Sequence, residues 1–273
     1  MWPYYLNHAL ILHTLNTMSL LSKQHNKIIV KVGSAVLTDD QGRVKKKILN
    51  NIARDIAALK NRKIILVSSG AIAIGKRLLN IEKINSIEES QALAAVGQIE
   101  LIKEWKTAFK PYSVDVGQVL LTPKEIQTNK DAKNALKTIN QLHDYKVLPI
   151  VNENDTTATD EIQFGDNDLL AAKLAKIFKA DLLIMLSAVE GLYELFDDAK
   201  RKLKLVKRVS RVTKDIHAMA GKASKSGKGG MLSKIDAAKI MLSMNSEMVI
   251  SKGDAINPLV RLKKSSSSTW FKK

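Results

Sequence analysis

The residues best suited to chemistry fall in two short clusters, Asn152-Glu153-Asn154-Asp155 and Gly165-Asp166-Asn167-Asp168. The first follows an apolar run, residues 147–151, that reads as a buried strand. The second leads directly into an apolar helical pattern. Carboxylates and carboxamides packed between a strand end and a helix start suit a site for a small polar ligand. In open α/β sheets, ligands gather outside the carboxyl ends of strands. The plainer alternative is a polar loop in which Asp168 is an ordinary helix N-cap.

Cations and glycines add a second kind of chemistry. Lys31 interrupts the apolar run at residues 27–32, and strand alternation places it on the same face as Ile29. Buried lysines are rare without a partner. Gly33-Ser34 ends that run, Ser69-Gly70 ends the next one, and Gly229-Gly230 precedes a helical pattern. Backbone N–H groups at such points bind anions. Lys234 falls in the first turn of the helix after Gly229-Gly230, where a cation works against the helix dipole. A bound anion accounts for that placement. Cations, glycine turns and an orienting carboxylate are the parts that phosphoryl transfer needs. The plainer readings are left-handed turns at the glycines and snorkelling surface lysines. There is no G-x-x-x-x-G-K-[ST] motif and no G-x-G-x-x-G after the first strand.

These residues must be positioned by alternating elements. Strands are predicted over residues 27–32, 63–67, 114–121, 147–151, 182–186 and 247–251. Helices are predicted over 45–61, after Gly70, and over 88–109, 131–143, 168–178 and 231–244, with a last short helix after Gly253. In the helix over 88–109, Leu93, Val96, Leu101 and Trp105 lie on or near one face. The alternation specifies an α/β fold with a mostly parallel sheet covered on both faces. Residues 190–211 break the rhythm and read as a small hairpin layer. Residues 221–230 read as a flexible loop rich in glycine and lysine. Residues 1–26 read as an extension, with Met18 as an alternative start. Residues 27–264 form the domain, and the serine-rich residues 265–273 are expected to be a flexible tail.

Composition excludes several classes. The 273 residues are 45% hydrophobic, ample for a core. Absence of cysteine removes disulfides, thiolate metal sites and a cysteine nucleophile, and fits a cytoplasmic protein. No transmembrane run is present, so no membrane partner is expected. The net charge of +17 permits nucleic-acid binding. Aromatics are only 5% and are not interleaved with the basic clusters, so no nucleic-acid partner is expected either.

Seven stretches taken in order resemble the glutamate 5-kinase family of the amino acid kinase superfamily. They are K-V-G-S (31–34), S-S-G-A-I-A (68–73), Q-A-L-A-A-V-G-Q (91–98), G-Q-V-L-L-T (117–122), V-N-E-N-D (151–155), G-D-N-D (165–168) and G-K-G-G-M-L-S-K (227–234). The resemblance spans about residues 27–262. It implies a three-layer αβα sandwich and transfer of phosphate from ATP, with Mg²⁺, to the side-chain carboxylate of L-glutamate, the first step of proline synthesis. It implies that Lys31 and Lys234 stabilise the moving phosphoryl group, with Asp168 orienting both. Gly33 and Ser34 would hold that group through backbone N–H. Ser69, Gly70, Asp155 and Asn167 would bind glutamate, Asp155 facing its ammonium. Asp166 would assist near Mg²⁺. The nucleotide would lie against Lys31, Gly33, Ser34, Ser187, Ala188, Lys228, Gly229, Gly230, Met231, Leu232, Ser233 and Lys234.

The resemblance further implies a homo-oligomer, dimer or tetramer, and functional coupling to glutamyl phosphate reductase. One departure is Ser187-Ala188, where the family commonly has Thr-Asp. Ala188 cannot accept a hydrogen bond through its side chain. Another is the lack, within this sequence, of the C-terminal RNA-binding-like domain that many bacterial members carry. Within the same superfamily, acetylglutamate, aspartate, carbamate and UMP are alternative acceptors. No general base is needed, because the nucleophile is already ionised at pH 7.

Overall fold

The β-branched segment Lys27–Val32 forms the central strand, β1, and five of its six residues are buried. A strand covered on both faces reads as a continuous apolar run, and this one does except at Lys31. The structure is a computed structural model. It describes residues 25–59, 61–122, 124–126, 129–157, 167–194, 204–221, 230–263 and 267–273.

After β1 come α1 (Ser34–Leu37), α2 (Lys46–Ala57), β2 (Lys63–Ser68), α3 (Ala71–Leu78), α4 (Ile87–Phe109) and β3 (Val116–Leu121). Then follow α5 (Asn129–Asp144), β4 (Leu148–Glu153), α6 (Asn167–Phe178) and β5 (Leu182–Ser187). Short strands β6 (Tyr193–Glu194), β7 (Lys204–Leu205) and β8 (Arg208–Val209) come next. The chain continues through α7 (Lys214–Met219), α8 (Met231–Ser243), β9 (Glu247–Lys252) and β10 (Ser268–Phe271). Eight strands form one sheet in the order β3-β4-β2-β1-β5-β9-β10-β8, and β6 pairs with β7 separately. From β3 to β9 all neighbours are parallel. Their carboxyl ends therefore share one edge. None of the described helices is long and apolar enough to cross a membrane.

Strand alternation divides the core. Ile28, Val30 and Val32 pack with Leu49 and Ile52 of α2, Ile74 of α3 and Leu101, Trp105 and Phe109 of α4. Ile29 packs on the other face with Leu170 and Leu174 of α6 and Ile235 and Met241 of α8. This is the three-layer sandwich expected from the sequence. In α4, Leu93, Leu101 and Trp105 are buried, and Val96 is half-buried. The α4 N-terminus is capped by Ser86, whose side chain accepts from Glu89 N.

Two glycines set how α3 meets α4. A Cβ added to Gly75 would lie 1.9 Å from Leu93 O, and one added to Gly97 would lie 1.8 Å from Ala71 O. The two helices are thus in backbone contact. Gly70 serves a different need. It holds φ 113° as the N-cap of α3, a conformation that L side chains rarely adopt.

Three expectations change. Residues 265–273 were read as a flexible tail, but Ser268–Phe271 is a strand between β9 and β8, with Phe271 fully buried. The serines hid a short β-prone segment, Thr269-Trp270-Phe271, that supplies the missing apolar face. The short helix after Gly253 is a single 3₁₀ turn, Val260–Lys263. It is tied down by buried Asp55 of α2, whose Oδ2 accepts from Leu259 N at 3.0 Å. The hairpin layer exists as the β6–β7 pair, but β8 joins the main sheet through β10. Most of the 1–26 extension and of the 221–230 loop lies outside the described residues.

Candidate active site

Lys31 is the fifth residue of β1, so its side chain follows Ile29 onto the face covered by α6 and α8. There it meets Asp168, the second residue of α6, and the pair contacts through Lys31 Nζ and Asp168 Oδ1. Lys234, the fourth residue of α8, reaches the other carboxylate oxygen, with Nζ 2.8 Å from Oδ2. Exposure is 6% for Lys31, 0% for Asp168 and 7% for Lys234. The Ser233 hydroxyl lies 3.1 Å from Asp168 Oδ2 and 2.9 Å from Gly230 O. Asp168 is therefore not the N-cap of the plainer reading. It lies inside the helix and joins three elements that are distant in sequence.

The electrostatics of this triad are unequal. Burial pushes the Asp168 carboxyl up, but the two ammonium groups outweigh it and hold the group at about 2. Two lysines and one aspartate give the triad itself a net positive charge. Buried charge is costly unless it is paired. An anion at the carboxyl edge would be drawn to that charge, and the first turn of α8 would add its N–H groups to the same field.

Gly33 corrects part of the expectation. Its N–H is not directed at a phosphoryl group but donates to Leu186 O at 3.1 Å, tying the end of β1 to β5. The next amide, that of Ser34 at the start of α1, is the one left to offer. Gly33 has an ordinary φ of −75°. An added Cβ would meet only Leu186 O at 3.7 Å and Lys31 Nζ at 3.9 Å. What glycine provides here is open space beside the Lys31 ammonium.

A second, uncharged cluster lies at the ends of β2 and β4. Asn167 opens α6, and its Nδ2 donates to Ser69 Oγ at 2.8 Å and to Asn152 Oδ1 at 2.9 Å. Asn152 Nδ2 in turn donates to Gln98 Oε1 at 2.8 Å. Ser69 is fixed by its own N–H, which donates to Val32 O at 3.1 Å. Asp155 sits half-buried in the turn that leaves β4.

Most other expected site residues fall along the same edge. Ser187 ends β5, and its carbonyl accepts from Gly253 N at 2.9 Å. Ala188 follows it and is exposed. Gly230 caps α8, and Met231, Leu232, Ser233 and Lys234 form its first turn. Asp166, Lys228 and Gly229 lie outside the described residues. Among the described residues no group of three or more His, Asp or Glu could hold a metal ion. Sequence reasoning missed Gln98 and Asn152 as members of the relay. Their signals were present, since both stand inside the motifs at 91–98 and 151–155.

Comparison with known proteins identifies the family and the fold. The profile of the amino acid kinase family matches residues 26–252. A glutamate 5-kinase of Pelagibacter ubique is 43% identical over 253 residues, covering 91% of this chain and 69% of the relative. One of Agrobacterium fabrum is 42% identical over 261 residues, covering 93% and 67%. Among solved structures, a carbamate kinase from Giardia lamblia bound to AMP-PNP superposes with a TM-score of 0.64 at 14% identity, covering 92% of this chain and 99% of that one. A UMP kinase from Ureaplasma parvum gives 0.60 at 14% identity, covering 92% and 100%. At that identity the likeness speaks for the fold alone, whereas the closer relatives speak for the branch. The chain belongs to the amino acid kinase family and, within it, groups with the glutamate 5-kinases.

Proposed function

We propose that this site transfers the γ-phosphoryl group of ATP to the side-chain carboxylate of L-glutamate, giving ADP and L-glutamyl 5-phosphate. The observation that carries the reading is the buried Lys31–Asp168–Lys234 triad beside a neutral relay of Ser69, Asn167, Asn152 and Gln98. One cluster suits a polyanion, the other a small polar molecule. They adjoin through consecutive residues, Asn167 and Asp168.

In this reaction a carboxylate oxygen forms the new bond to γ-phosphorus. The bond from γ-phosphorus to the β,γ-bridging oxygen breaks, and ADP leaves with that electron pair. No proton need be removed from the nucleophile at pH 7. The barrier is electrostatic, since an anion approaches a polyanion. Lys31 and Lys234 place positive charge where negative charge concentrates, and Asp168 holds both ammonium groups in register. The Ser34 N–H and the first turn of α8 add donors. Ser69 and Asn167 hold the amino acid, and Asp155 pairs with its ammonium.

Mg²⁺ when bound supplies further neutralisation of the phosphate oxygens. It is commonly held by few protein carboxylates and largely by the phosphates themselves. That suits a site whose buried carboxylate is already committed to two lysines, with Asp166 as the proposed protein contact.

Further parts of the same reading are a homo-oligomer, a cytoplasmic location and coupling to a reductase that consumes the labile acyl phosphate. Exposed Leu78, Leu79, Ile81 and Ile84 around the α3–α4 connection support self-association.

The test is ADP release with Mg-ATP and a panel of free glutamate, acetylglutamate, aspartate, carbamate and UMP. Turnover is expected with free glutamate above all others. Absence of glutamate-dependent turnover would overturn the proposal.

A further inference from the structure

The relay runs in one direction, from Asn167 through Asn152 to Gln98. Asn167 has one side-chain nitrogen, and its two N–H bonds go to Ser69 Oγ and Asn152 Oδ1. Asn152 is 2% exposed. It can show its oxygen to Asn167 only if its nitrogen faces the other way. The group it faces is Gln98 Oε1, at 2.8 Å. If Asn152 alone were turned over, its N–H₂ would oppose that of Asn167 and its oxygen that of Gln98, and both bonds would be lost. An unpaired buried donor is expensive. Gln98, Asn152 and Asn167 are therefore oriented together, and the Gln98 nitrogen, buried without a partner among the described residues, leaves Asn152 as the side-chain contact of that amide.

The consequence appears at the near end. With both N–H bonds committed, Asn167 has only Oδ1 left to offer. That oxygen is buried and has no donor among the described residues. Ser69 Oγ accepts from Asn167, so its own proton is free to be given. The relay thus presents one acceptor and one hydroxyl donor. An α-amino acid head group, with an ammonium and a carboxylate, is the complement of that pair. With the opposite polarity, Asn167 would present N–H to an ammonium and repel it.

We infer that Gln98 is a positioning residue for the amino acid substrate, acting through Asn152 and Asn167 without touching the reacting atoms. This deepens the proposed reaction and rests on it. Gln98 lies on α4, in the core layer opposite α6 and α8, and makes no bond to the lysine triad. Its loss is thereby expected to be felt by the amino acid and not by the nucleotide.

The experiment compares Gln98→Met, Asn167→Ala and the double variant by steady-state kinetics in both substrates. Methionine keeps the volume and removes the acceptor. Q98M is expected to raise KM for glutamate about tenfold, with KM for ATP and the melting temperature close to the parent. In the Asn167→Ala background the same change is expected to add less than about twofold, because residues in one network are not additive. A merely structural role for Gln98 would move both KM values and the melting temperature together. If Q98M does not fold, Gln98→Asn serves, since the shorter amide no longer reaches Asn152.

A glutamate KM within about twofold of the parent, or independent multiplication of the two effects, overturns the inference and leaves the proposed reaction standing. A parent protein without glutamate-dependent turnover overturns the reaction itself, and with it the substrate of this relay.

Discussion

The two halves of the candidate site solve similar placement problems with opposite means. Lys31, Asp168 and Lys234 are held by full charges in a buried environment. Ser69, Asn167, Asn152 and Gln98 are held by neutral hydrogen bonds, which run head to tail from Asn167 to Gln98. Charge acts over distance and tolerates small displacements, so the triad can meet a group that changes position during transfer. Amides act at contact and discriminate by orientation, so the relay can select a head group. The division suits a reaction in which one ligand must be stabilised while it moves and the other must be recognised while it stays.

The comparison is most sharply tested at Asp168. Replacement by alanine leaves two buried ammonium groups without their shared carboxylate. A loss of about 3–5 kcal/mol of folding stability is expected, read by urea denaturation, together with loss of turnover. A change within about 1 kcal/mol would show that the triad is not held by charge. Lys234→Ala comes next. Asp168 keeps Lys31, so the fold is retained, and kcat is expected to fall by at least about 10²-fold. An unchanged kcat in the ADP-release assay would remove Lys234 from phosphoryl stabilisation.

Acid is a gentler way to break the same pair. The Asp168 carboxyl is lowered from 3.8 to about 2. Its contribution to stability is present above the unfolded value and is lost as pH falls through the folded one. A difference in stability between the parent and Asp168→Asn is expected to shrink between those limits and to stay flat from pH 5 to 9. The part lost on acidification is on the order of 2 kcal/mol. A difference that changes around neutrality would assign the titration to another group. The smallest effect is expected at Gly33→Ala. The added methyl meets ordinary contacts at 3.7 and 3.9 Å, so melting should move little, while KM for ATP rises severalfold if the space beside Lys31 receives phosphate. A large loss of stability with unchanged KM would make Gly33 purely structural.

How far the sequence revealed this site depends on the kind of signal. Lys31 was legible because a lysine in a buried apolar strand violates alternation, and the violation has a physical cost. Asp168 was legible because carboxylates crowd a strand-to-helix junction. Gly33 was misread, because a glycine after a strand suggests a free N–H, and only the register of β1 against β5 shows that Leu186 O takes it. Gln98 stood inside a motif, but its part in the relay was not legible. Nothing local tells a polar residue on a helix that its acceptor will meet Asn152 across more than fifty residues of chain. The sheet core followed from period-two and helical patterns, whereas β10 did not, because four residues beside a run of serines are too short to show alternation.

The glycine contact between α3 and α4 bears on motion. Helices separated by side chains can slide, since rotamers readjust as they pass. Here Gly75 and Gly97 bring backbone against backbone, and sliding would drive Cα hydrogens into carbonyl oxygens. The pair is therefore stiff in shear and must open as one piece. Ser69 enters it at one end through Gly70, and Gln98 leaves it beside Gly97. Amide hydrogen exchange should find both helices in a single cooperative unit, with the distance between the two ends of the relay unchanged through every opening short of unfolding.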